Sequence, residues 1–114
     1  MTKTFIQTTI FEKQWDELGL SDEDLCRLEY EIMTNPSAGP IVPGTGRLRK
    51  RRFAIQGKGK RGSARVCYVD FVILDTIYLF SIYTKNKKEN LTKEECNNIK
   101  KMIDKLEKSL LKEE

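Results

Sequence analysis

The sequence contains no histidine, and that single absence excludes much chemistry. A Ser-His-Asp triad, a Cys-His pair and a two-histidine ribonuclease all need an imidazole that is not there. Cysteine is scarce, with three residues (Cys26, Cys67 and Cys96) and no CxxC spacing. All three fall within apolar patterns, which predicts free thiols in a reducing cytoplasm, packed as small hydrophobes, and no structural zinc. No apolar run approaches the roughly 18 residues of a membrane span, since Phe71 to Leu74 and Ile77 to Phe80 are each short. The first five residues, Met1-Thr2-Lys3-Thr4-Phe5, lack the apolar core of a signal peptide. No phosphate-binding loop of the GxxxxGK[ST] type is present, because Gly62 is followed by Ser63-Ala64 rather than by Lys and a hydroxyl residue.

Acid is also missing, but only locally. From Ile32 through Val69 there is no Asp or Glu, while nine bases fall there: Arg47, Arg49, Lys50, Arg51, Arg52, Lys58, Lys60, Arg61 and Arg65. Residues 1–46 carry three bases and eight acids, and residues 66–114 carry nine of each, so the net charge of +4 hides one strongly basic stretch. Cations crowded without acids repel one another and cost stability, which predicts a polyanionic partner for Arg47 to Arg65. The absence of clustered acids argues equally against a metal centre. Catalysis, if any, falls to Lys, Arg, Tyr and a lone carboxylate.

What remains is an ordinary single domain of 114 residues, 39% hydrophobic and 33% charged. Lys3 to Gln7 reads as a short strand. Thr9-Ile10-Phe11-Glu12 offers a capping box, followed by Phe11, Trp15 and Leu18 on one helical face, with Gly19 as the stop. Ser21 caps a second helix with Leu25, Leu28 and Ile32 as its buried stripe, ended by Asn35-Pro36, and the short turn between the two predicts a helical hairpin. Pro36 to Gly46 is an irregular connection. Arg47 to Gln56, Ala64 to Phe71 and Thr76 to Tyr83 read as strands, with Lys58 to Arg61 at a basic hairpin tip and a turn between Asp70 and Thr76. Thr92 and Glu95 form another capping box, opening a helix with Ile99, Met102, Ile103, Leu106 and Leu110 on its apolar face. The order β-αα-βββ-α predicts an α+β fold in which an antiparallel twisted sheet is packed by an N-terminal helical hairpin and a C-terminal helix. Once those helices pack, no apolar stripe is left over, which predicts a monomer.

Lys, Arg and Tyr suffice for one reaction. RNA carries its own nucleophile, the 2′-OH, beside the scissile phosphate. A site that positions the backbone, neutralises the phosphorane and assists proton transfer would yield a 2′,3′-cyclic phosphate and a 5′-OH. Arg supplies preorganised charge, and a Lys crowded by cations, or a Tyr beside them, has its pKa lowered toward a useful range.

Three segments carry a family resemblance: Gly44 to Lys50, Gly57 to Arg65 and Tyr78 to Asn86. Their glycine-flanked basic hairpin, arginine-led strand and Ile82-Tyr83-Thr84-Lys85-Asn86 strand end resemble the HigB-type branch of the RelE/ParE toxins of type II toxin–antitoxin systems. The resemblance implies a cytoplasmic, metal-independent and cofactor-free endoribonuclease that cuts translated mRNA in the ribosomal A site. By position it implies catalytic roles for Arg65 at the phosphate, Lys85 as a second cation, and Lys50 and Arg52 as stabilising or proton-transfer groups. Lys58, Lys60 and Arg61 fall on the hairpin expected to touch RNA, and Arg49, Lys87 and Lys88 add further backbone contacts. Related toxins carry a stacking tyrosine near the position of Leu91. Tyr83 or Tyr68 is the available substitute here, which leaves the general base open. Tyr83 stands between a core and a site role, whereas Tyr78 reads as core. The implied partner is a helix-turn-helix antitoxin. The alternative within the same superfamily is a ParE-like, non-enzymatic toxin that binds DNA gyrase.

Overall fold

Helix α1 (Thr9–Glu17) starts where the extended Thr8 accepts a hydrogen bond on its hydroxyl from the Phe11 N–H at 3.0 Å. The cap is therefore Thr8 rather than Thr9. The same hydroxyl donates to the Phe80 carbonyl at 2.8 Å, so the helix start is tied to a strand and its phase is set by that contact. Phe11 and Trp15 are buried, and the chain turns at Gly19, whose φ of +68° suits a residue without a side chain. Helix α2 (Asp22–Thr34) opens on the expected Ser21 cap in reciprocal contact with Asp24, buries Leu28 and Ile32, and ends at Asn35.

The computed structural model describes residues 3–56, 62–84 and 91–112. Within them the order is β1 (Thr4–Gln7), α1, α2, β2 (Arg49–Ala54), β3 (Ser63–Phe71), β4 (Thr76–Thr84) and α3 (Lys93–Lys112). The α+β class and the β-αα-βββ-α order match the sequence reading. β2, β3 and β4 pair antiparallel, and β1 adds to β4 in parallel, giving a four-stranded mixed sheet ordered β1-β4-β3-β2. A 3-10 turn at Val72–Leu74 and a left-handed Asp75 reverse the chain between β3 and β4.

Side-chain alternation gives the sheet two apolar faces. One packs Phe53, Val66, Tyr68, Leu79 and Ile82 against Phe11, Trp15, Leu28 and Ile32 of the helical hairpin. The other packs Leu48, Cys67, Val69, Phe71 and Phe80 against Ile99, Ile103, Leu106 and Leu110 of α3. Met102, grouped with that stripe from the sequence, is 48% exposed, because it lies about 100° around the helix from Ile103. Cys26 also departs from the expected burial and is exposed, whereas Cys67 and Cys96 are buried, and all three are free thiols. α3 begins as expected, with the Glu95 N–H donating to the Thr92 hydroxyl at 3.1 Å and the Thr92 N–H to the Glu95 carboxylate at 2.8 Å.

One irregularity positions the site. Tyr68 lies opposite Leu79, but its neighbour Cys67 lies opposite Ser81, so Phe80 is an extra residue in β4. Such a bulge reverses the alternation beyond it. Ile77 and Leu79 face the hairpin, yet past the bulge Ile82 does so, and Tyr83 is delivered to the α3 side. No described helix is long and apolar enough to cross a membrane.

Candidate functional site

Strand β2 sorts its own charges. Phe53 is buried against the hairpin, and Arg51 uses the same side: its Nη1 donates to the Glu31 and Asn35 carbonyls at 3.4 Å each, and its Nη2 lies 3.8 Å from the Glu31 carboxylate. Arg49 Nη1 donates to the Gly39 carbonyl at 2.7 Å and the Ser37 carbonyl at 3.3 Å. The loop runs so close to β2 that a Cβ on Gly39 would sit 2.7 Å from the Lys50 carbonyl oxygen, so only glycine fits there. Arg47, just before the strand, holds Glu107 of α3 through two hydrogen bonds of 2.8 and 3.0 Å, with Asp104 at 3.6 Å and the Phe71 ring 5.2 Å away. The bond to Arg47 holds the Glu107 carboxyl below the usual carboxylate range, and the bond to Glu107 raises Arg47.

The basic run is thus not one continuous phosphate-binding surface. Arg47 and Arg51 pair with acids that the fold brings in from α3 and α2, and Arg49 is engaged by loop carbonyls. Lys50 and Arg52 alternate onto the opposite face of β2 from Arg51, and Arg65 shares that face on β3. Register places Lys50 opposite Cys67 and Cys67 opposite Ser81, and places Arg52 opposite Arg65 and Arg65 opposite Tyr83. Two cross-strand rows result, each about 10 Å wide at roughly 4.8 Å per strand, and separated by about 7 Å along the strands. Arg52 is exposed and Arg65 half-buried, with the Arg65 guanidinium 3.4 Å from the Ser63 hydroxyl. Two guanidiniums directly opposite one another repel, a cost that an anion between or above them would remove.

The floor beneath Lys50 is a cavity of about 90 Å³ lined by Cys67, Ser81, Tyr83, Leu91 and Ile99 among others. Burial pushes the Cys67 thiol up, against the opposing pull of the Ser81 hydroxyl, the Lys50 charge and the Tyr83 hydroxyl. Tyr83 therefore sits within reach of Cys67, in the company of Lys50 and Arg65. It is partly buried against the α3-side core and also borders the cavity. Tyr68 is a different case. It is fully buried and its hydroxyl donates to the Pro36 carbonyl at 2.6 Å, so it is not available to stack on a base. Tyr78 packs at the edge of the α3-side core, as expected.

Lys58, Lys60, Arg61, Lys85, Lys87 and Lys88 lie outside the described residues. Ser81 and Cys67 belong to the site floor without having been singled out for it. Their only sequence signal was spacing, and the bulge that aligns them is invisible there. Among the described residues no three His, Cys, Asp or Glu side chains converge where a metal ion could be held.

A solved structure of the E. coli toxin RelE, a mutant with two arginines replaced by alanine in the free state, superposes with a TM-score of 0.54 over 75% of this chain and 86% of that one, at 15% identity. That likeness establishes the fold. A solution structure of a conserved hypothetical protein from Helicobacter pylori matches 76% of this chain and 98% of its own at 21% identity, with a TM-score of 0.34. The family model for the RelE toxin of the RelE/RelB toxin–antitoxin system matches residues 2–113. Spanning nearly its whole length, that match means that the chain belongs to the RelE toxin family and is a toxin of a toxin–antitoxin system.

Proposed function

We propose that this toxin is a HigB-type endoribonuclease that enters the ribosomal A site and cuts translated mRNA through attack by the RNA's own 2′-OH, without a metal ion. The observation that supports it most is the Arg52–Arg65 pair, two guanidiniums in direct register beside Lys50 and Tyr83 on one face of the sheet. A phosphorane passing over this face meets preorganised positive charge from two strands. That is the arrangement that lowers the barrier when negative charge develops on a phosphate. Arg65, on the inner strand β3, is the phosphate-stabilising group. Arg52 and Lys50 flank it, stabilising charge or moving a proton, and Tyr83 contributes a phenol at the end of the row. Lys85 follows Tyr83 by two residues and supplies a second cation, while Lys58, Lys60, Arg61, Lys87 and Lys88 hold the surrounding RNA; Arg49, engaged by loop carbonyls, is not among them. In the cell a helix-turn-helix antitoxin neutralises the toxin.

The test is to incubate the protein with translating ribosomes and map the message ends. Wild type should produce new ends within codons, with 5′-OH and 2′,3′-cyclic phosphate termini. Arg65→Ala should cut about 10²- to 10³-fold more slowly, the usual effect of removing one preorganised charge at a reacting oxyanion. An uncut message with both proteins, accompanied by DNA damage in cells expressing wild type, would instead indicate a gyrase-binding toxin.

A further inference from the structure

Two residues on the floor of the cationic site have no part in the reaction described above. Cys67 on β3 lies opposite Ser81 on β4, and on its other side lies opposite Lys50 on β2. Tyr83 is two residues beyond Ser81, and both follow the bulge, so their side chains share the α3-side face. All four border the cavity of about 90 Å³, whose remaining walls, Val42, Leu48, Leu91 and Ile99, are apolar.

Polar atoms set among such neighbours have to satisfy one another, because an unmade hydrogen bond there is costly. The Cys67 sulfur lies within hydrogen-bonding reach of both the Ser81 and the Tyr83 hydroxyls. A sulfur partner suits a phenol that has to move a proton. A thiol is a weak donor and a weak acceptor, so the contact fixes where the Tyr83 oxygen lies yet yields to an RNA oxygen at little cost. A carboxylate in the same place would keep the phenol's proton, and a methyl group would give the hydroxyl no anchor. Ser81 completes the arrangement, since its hydroxyl meets the same sulfur and restricts where it lies. Precision of this kind matters, because a displacement of about 1 Å costs on the order of 10²-fold in rate.

We infer that Cys67 and Ser81 are positioning residues for the cleavage, a thiol–hydroxyl cradle that holds the Tyr83 hydroxyl at the cavity shared with Lys50. The inference rests on the nuclease reading and gives the Tyr83 phenol a task within it, the transfer of a proton. The competing account is packing alone, in which Cys67 and Ser81 only fill the floor.

Double-mutant cycles on translating ribosomes, read as single-turnover cleavage of a message, separate the two. Ser81→Ala and Cys67→Ala should each slow cleavage by the bound toxin roughly 10- to 100-fold, with the half-saturating toxin concentration unchanged. Cys67→Ser, which keeps a hydrogen-bonding atom in place, should restore most of the rate. In a Tyr83→Phe background neither alanine change should slow cleavage further, because both act through the hydroxyl that is gone. Full additivity in that background, or rates unchanged by both alanine variants, overturns the inference and leaves the nuclease standing. A loss that appears only as weaker binding, or only in proportion to unfolded protein, assigns the two residues to packing and overturns it as well.

A second readout needs no cleavage. With tyrosine labelled by ¹³C at Cζ, the Tyr83 resonance should move in both alanine variants and return toward the wild-type position in Cys67→Ser. The resonance of Tyr30, exposed on α2, should stay where it is. A Tyr83 resonance unmoved by either alanine change overturns the cradle. Wild type that cuts no message overturns the nuclease reading and the role given to Cys67 and Ser81 with it, whereas a moved resonance still upholds the contact.

Discussion

Arg47 and Glu107, 60 residues apart in sequence, meet in a two-point salt bridge with Nη1 to Oε2 at 2.8 Å and Nη2 to Oε1 at 3.0 Å. The bridge fastens α3 to the loop entering β2, and it removes the first arginine of the basic run from the candidate site.

Glu107→Gln should lower stability by about 1 kcal/mol or less at low salt. Both partners are more than a third exposed, at 37% and 38%, and water screens such pairs. Because Arg47 holds the folded-state carboxyl below its usual range, the contribution is complete above the ordinary carboxylate pKa. It is lost as the pH falls through the lower, folded value. Urea melts of wild type and Glu107→Gln should therefore differ at neutral pH and converge in acid. A gap that persists in acid would mean that packing, not charge, makes the contact.

Arg51 and Arg52 are neighbours with opposite consequences. Arg51→Ala strips hydrogen bonds from the Glu31 and Asn35 carbonyls and should cost about 1–2 kcal/mol in thermal or urea unfolding, with message cleavage per folded molecule unchanged. Arg52 is exposed, so Arg52→Ala should leave stability within about 0.5 kcal/mol and yet slow cleavage at least as much as any other single change on β2. Parallel melts and cleavage assays on the two variants check the pair. Equal loss of cleavage in both would contradict the assignment of the two faces.

Tyr68→Phe should destabilise the fold by about 1–3 kcal/mol, because it leaves the Pro36 carbonyl without its 2.6 Å hydrogen bond. Cleavage by the folded fraction should not change, since the ring is fully buried. A cleavage defect without a stability defect would instead assign the Tyr68 hydroxyl a role at the site.

Thiol reactivity should follow burial. Cys26 is exposed and should react promptly with a chromogenic disulfide reagent in mildly alkaline buffer. Cys67, with its ionisation pushed up by burial, and the buried Cys96 should react only after denaturant is added. Mass spectrometry of the early adduct identifies the residue. Early modification of Cys67 would show that the floor of the cationic site opens in solution.

Much of the fold was legible along the chain because its determinants are local. The Ser21 and Thr92 caps and the Asn35-Pro36 stop act over three or four residues, and each occurs where its residues predict. The misplacements share a cause. Thr8 displaced Thr9 as the α1 cap through a contact with Phe80, and Met102 left the core stripe because the surface that α3 meets, not the helix, decides which residues face inward.

For the site, the sequence by itself determined the element order, the class, the want of histidine and the dense basic stretch. Those follow from composition and from interactions spanning a turn or two. Only the tertiary structure decided which bases meet acids and which share a face of the sheet with Tyr83. Arg47 and Arg51 find acids far from them in sequence, and ion pairing depends on distance in space. Tyr83 reaches the row of Arg52 and Arg65 because one extra residue, Phe80, reverses the alternation of β4. That reversal is set by cross-strand hydrogen bonding, so no pattern read along one strand could have shown it.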